Sequence, residues 1–78
     1  ENDMAINQIR KYIWLVDVLR RNRKLTFKEL NELWLNDEIS ERIELSIRTF
    51  HKWRIAIEDL FAINIENEGK GEYRYYIV

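Results

Sequence analysis

Apolar positions recur with a helical period along most of the chain and with a period of two near its end. At about 100° per residue, Ile6, Ile9, Tyr12, Ile13, Val16 and Leu19 share one broad side of a helix that runs to about Asn22. A second helix start follows, with Thr26 as N-cap and Glu29 completing a capping box, in which hydroxyl and carboxylate each accept one free amide. Leu25 sits in a very short strand ahead of it, placed to pack on Leu30. Phe27, Leu30, Leu33 and Trp34 line one face of this helix, which fades around residues 35–37. Residues 37–45 have no clear period, and Ile39, Ile43 and Leu45 are the apolar pegs expected to hold this acidic connection to the body.

Ser46 is the next N-cap, and Ile47, Phe50, Trp53, Ile57, Leu60 and Phe61 form the inner stripe of a third helix over 47–61. The period then changes. Ile63 and Ile65 alternate with polar residues, as do Tyr73, Tyr75 and Ile77, while the segment 67–71 between them carries both glycines and suits a hairpin turn. Three helices followed by a C-terminal β-hairpin over 63–78 predict an α+β fold, a winged helix-turn-helix, as one domain spanning 4–78. Met4 reads as the natural start, with Glu1–Asp3 set apart from the fold. Val78 falls inside a strand, which reads as a fragment cut from a longer protein.

Composition narrows the chemistry. The chain has 78 residues, no cysteine and one histidine, so a disulfide framework, a thiol nucleophile and the usual zinc clusters are excluded. No apolar run is long enough for a membrane span and nothing resembles a signal peptide, which points to a cytoplasmic protein. No catalytic triad, paired carboxylates or phosphate-binding glycine loop is recognisable, so the expectation is a non-enzyme without cofactor.

Net charge is -1, but the charges are segregated. Arg20, Arg21, Arg23 and Lys24 form one basic run, and Ser46 to Arg54 contains Arg48, Lys52 and Arg54 with no acid. On the third helix, Arg48, Lys52 and Ile55 lie opposite Phe50 and Ile57, flanked by Thr49 and His51. These are the groups a major-groove helix uses: cations for guanine and phosphate, a hydroxyl for phosphate, an apolar atom for a thymine methyl. Ser46 at this helix start, Thr26 and Lys28 at the start of the second helix, and Lys70 and Arg74 in the hairpin are the further DNA-contact candidates. Arg54 falls nearer the core, with a packed stem and a paired head expected. The expected partner is therefore double-stranded DNA, read sequence-specifically. The competing expectation is a protein-interaction module docking through Trp14 and Val18, which project from the polar side of the first helix among Arg10, Lys11 and Arg21.

The segments Tyr12–Asp17, Arg48–His51, Ala56–Phe61, Ile63–Ile65 and Tyr73–Ile77 resemble the N-terminal winged-helix domain of bacterial WYL-domain transcriptional regulators, particularly those of Bacteroides-like bacteria. The likeness covers nearly the whole chain from Met4. The Ser-x-Arg-Thr opening of the third helix, here Ser46, Arg48 and Thr49, is shared with DeoR-type regulators. The resemblance implies a DNA-binding module of a transcription regulator, with recognition roles on Arg48, Thr49, His51 and Lys52. It also implies a C-terminal WYL domain binding an effector ligand, and a homodimer on a palindromic or spaced site.

Overall fold

The computed structural model describes residues 2–78. Its elements are α1 (Asn2–Asn22), β1 (Leu25–Thr26), α2 (Phe27–Asn36), a 3₁₀ turn (Glu38–Ser40), α3 (Ile47–Phe61), β2 (Ile65–Glu68) and β3 (Arg74–Ile77). Three helices are followed by an antiparallel hairpin, and β1 adds to it in the order β1-β3-β2, the α+β arrangement of a winged helix. Glu1 lies outside the described residues, and α1 begins at Asn2, about one helical turn before Ile6, where the apolar period starts.

The helix boundaries follow from local chemistry. Thr26 Oγ1 accepts from the Glu29 amide at 3.1 Å, and Glu29 accepts from the Thr26 amide at 2.9 Å, the reciprocal pair expected. Backbone hydrogen bonding from Thr26 holds the Glu29 carboxyl below its usual range. Ser46 Oγ accepts from the Thr49 amide and starts α3 in the same way. The connection between α2 and α3 turns through two successive left-handed residues, Glu41 and Arg42. It is fastened mainly by polar ties: Trp34 Nε1 donates to the Ile43 carbonyl at 2.7 Å and the Leu45 amide donates to Asn31 Oδ1 at 3.0 Å. Leu45 is buried and Ile39 packs on the core, whereas the Ile43 side chain is exposed. The chain anchors Ile43 through its carbonyl rather than its apolar peg.

The core is an aromatic ladder across the helices. Trp14 meets Trp34 edge-on at 5.0 Å, Trp34 meets Trp53 at 5.5 Å, and Tyr12 meets Trp53 at 6.1 Å. Such geometries contribute about 0.5–1.5 kcal/mol each beyond area burial. Phe50 joins the rest, touching Phe27 of α2 at 5.6 Å and Tyr75 of β3 at 4.8 Å. Leu15, Leu19, Leu30 and Ile57 fill the space around them.

This ladder rotates the facing of α1: Leu19 is buried and Tyr12 and Val16 pack on the core as expected, but the rest of the expected inner side does not. Leu15, Val18 and Leu19 point inward, Trp14 is half-buried against Trp34, and Ile6, Ile9 and Ile13 face solvent. Val18 is 4% exposed, so Trp14 and Val18 are not an open docking surface. The physical reason is that α1 is apolar on both sides, and the side carrying Trp14 and Leu15 fits the tryptophans of α2 and α3. Leu33, Ile47, Leu60 and Phe61, read as core-facing, are also largely solvent-exposed.

The hairpin pairs Ile65 with Ile77 and Glu68 with Arg74, so Asn67 and Glu68 are strand residues. The loop is 69–73, two residues later than the sequence suggested, and Tyr73 belongs to it. Gly69 has φ +106°, and a Cβ there would stand 2.6 Å from the Glu72 carbonyl oxygen. Only glycine fits that bend.

Candidate nucleic-acid interface

The first two turns of α3 concentrate the polar groups. Ser46 caps the Thr49 amide, and its hydroxyl donates to Thr49 Oγ1 at 3.0 Å, so the two hydroxyls form one small network at the helix start. The next amides inward, of Ile47 and Arg48, have no partner within the helix, which favours an anion at this end. Arg48, Lys52 and Ile55 stand exposed on the side opposite the buried Phe50, Trp53 and Ile57. Among the described residues, neither Arg48 nor Lys52 is ion-paired.

Other cations are already engaged. Arg21 pairs with Asp17 at 2.8 Å, and Lys24 pairs with Glu68 at 2.9 Å while lying over the Tyr76 ring. Arg74 is exposed but sits 4.0 Å from Glu72, opposite Glu68 in the hairpin register, and its field lowers the Glu29 carboxyl. Lys28 and Lys70 are exposed, without ion pairs among the described residues. Thr26 accepts the Glu29 amide in the cap and is buried, so its hydroxyl is not presented to a phosphate. That corrects its expected role as a contact residue.

An open groove of about 360 Å³ gathers three of these elements, lined by Lys28 of α2, Ile47 and His51 of α3, and Gly71 and Tyr73 of the hairpin loop. Ile47 and Tyr73 were missed as surface residues because each continues an apolar period into a position the core does not cover. A neighbouring groove between α3 and β2 contains Glu58 and Glu66 and bounds the basic face on that side.

Arg54 behaves as expected of a packed stem with a paired head. Its Nη2 donates to the Ile65 carbonyl at 2.7 Å, and its guanidinium lies over the Phe50 and Tyr75 rings. Its Nη1 approaches His51 Nδ1 at 3.1 Å. Arginine only donates, so Nδ1 is the acceptor and the proton of neutral His51 sits on Nε2. Burial, and then the Arg54 charge, hold the His51 pKa below its ordinary 6.5. The unfolded chain therefore binds more protons than the folded one between the depressed value and 6.5, and stability falls as pH drops through that window. The expected result is a lower denaturant midpoint at about pH 5.5 than at about pH 7.5, with a smaller difference in His51→Gln. Since His51 is the only histidine, an undiminished difference in the variant would remove it as the cause.

Among the described residues no cluster of three or more potential metal ligands occurs, and no helix is long and apolar enough to cross a membrane. No family model, curated protein or solved structure matches the chain.

Proposed function

We propose that this winged helix binds double-stranded DNA sequence-specifically, as the DNA-binding domain of a cytoplasmic transcription regulator and with no catalytic role. The observation that carries the reading is the outward side of α3, where Arg48, Lys52 and Ile55 stand together, exposed, within the first two and a half turns. In the proposed complex α3 enters the major groove, and Arg48 and Lys52 make the principal contacts. Ile55 meets a thymine methyl, and Ser46 and Thr49 approach phosphate. Lys28, which lines the adjoining groove, and Lys70 in the hairpin loop reach the backbone, and His51 offers its Nε2 proton to a base edge. The resemblance to WYL-domain regulators supports the same assignment. The competing docking mode through Trp14 and Val18 has less support, because Val18 is buried and Trp14 is half-buried against Trp34.

Fluorescence anisotropy of a labelled random-sequence duplex tests the proposal. Nonspecific affinity is expected at about 10⁻⁴–10⁻⁶ M, falling steeply between about 50 and 200 mM salt as counterions are released. Absence of binding at the lower salt, or binding indifferent to salt, would overturn it.

A further inference from the structure

The solvent side of α1 carries an apolar stripe that its own fold covers only at the Val16 edge. Ile6, Ile9 and Ile13 are 53, 43 and 57% exposed, and Val16 is half-buried at the edge of the same stripe. Their spacing of three, four and three residues, continued four further by Arg20, is the alternation with which two helices seat side chains along a shared seam. The stripe also extends off the helix. Ile13 and Val16 line an open groove of about 290 Å³ with Phe61 and Ile63. Ile6, Ile9, Ile13 and Phe61 together leave on the order of 400 Å² of apolar surface in water, a size at which a patch is often functional.

We propose that a second copy of this chain docks here, α1 packing antiparallel on α1 about a two-fold axis close to Ile13. The charges beside the stripe select this occupant. Arg10 and Asp17 are exposed on the same edge of the seam, about two turns apart. In an antiparallel pair like edges meet, so Arg10 faces Asp17 of the second copy and Asp17 faces its Arg10, the reciprocity a two-fold interface requires. Parallel packing would set both charges against the opposite edge, which carries Ala5 and Tyr12, and leave them unmatched. Asp17 accepts from Arg21 within its own chain and keeps acceptor capacity for a second cation. Arg20 closes the stripe with its aliphatic stem, its head remaining in water. The patch is small beside standard interfaces, so the dimer is weak and concentration-dependent.

Sedimentation velocity on the chain without DNA, from about 1 to about 500 μM, is the test, because a weak dimer is governed by protomer concentration. Wild type is expected to move from monomer towards dimer across this range. Ile13→Glu, which brings two carboxylates together near the axis, is expected to keep its helical circular dichroism and raise the dissociation constant at least about tenfold. Arg10→Asp weakens the dimer, and Arg10→Asp combined with Asp17→Arg restores it. A wild type that stays monomeric throughout, or a dimer unmoved by Ile13→Glu and Ile9→Glu, overturns the assignment. Since no DNA is present, either result leaves the DNA-binding proposal to its own test.

Discussion

Phe50→Ala is expected to remove about 3–5 kcal/mol of stability, the range for truncating a buried phenylalanine. Domains are typically stable by roughly 0.05–0.15 kcal/mol per residue, so a chain of 78 residues has little left after such a loss. The site explains why the effect falls at the upper end. Phe50 has no exposed surface and is the joint of three elements, with Phe27 on one side, Tyr75 on another and the Arg54 guanidinium over its ring. Removing the ring opens a cavity where α2, α3 and the hairpin meet, and neighbours tied by hydrogen bonds, such as Arg54 to the Ile65 carbonyl, cannot close it. Urea and thermal unfolding followed by circular dichroism measure the loss. At about 4–8 °C per kcal/mol for a domain of this size, the midpoint drops by more than about 12 °C. A loss below about 1 kcal/mol would mean that the three elements are held independently of this ring. Ile55→Ala, on the exposed side of the same helix, is expected within about 0.5 kcal/mol of wild type.

How much of this was legible in the sequence depended on whether the cause was local. Thr26 with Glu29, and Ser46 before Ile47, are capping signals whose partners lie within one turn, and both helix starts stand where those residues put them. The strand at Leu25 and the inward stem of Arg54 were legible for similar reasons. The facing of α1 was not, because two apolar stripes on one helix satisfy the same period equally well. What selects between them is the shape of Trp34 and Trp53 on other elements, and periodicity carries no information about a partner's shape. Ile43 failed differently: its backbone carbonyl serves Trp34, so the position is fixed without burying the side chain. Tyr73 continued the alternation of the strand on paper, but β2 runs on to Glu68, which shifts the loop to 69–73 and leaves Tyr73 beside the α3 start. The outward placing of Arg48, Lys52 and Ile55 was legible because a helix's outer face follows directly from its inner one. Thr26 was read as a contact because a helix start favours phosphate, but the fold buries it beneath its own cap.

Arg48→Ala/Lys52→Ala is expected to cost DNA affinity about 10²–10³-fold at low salt, from a base contact worth about 1–3 kcal/mol and a lost phosphate charge. Both side chains are exposed and unpaired among the described residues, so the fold is expected to stay within about 0.5 kcal/mol of wild type. The affinity change is then a property of the surface. The two residues are also expected to separate by kind of contact. A residue on phosphate weakens all duplexes alike, and its removal lowers the slope of log affinity against log salt by about one. A residue on a guanine edge leaves that slope nearly unchanged and relaxes preference at one base pair. Arg48, at the helix start with its forked head, is the base reader in this assignment, and Lys52, one turn further, is the phosphate contact. Titrating each single variant at several salt concentrations, against random and selected duplexes, resolves the two signatures. Arg21→Ala is the matching control, since it lies on α1, where its charge is already paired with Asp17 one turn away. If the control weakens binding as much as the α3 variants do, the basic run at the end of α1 carries the contact and α3 is not the helix in the groove.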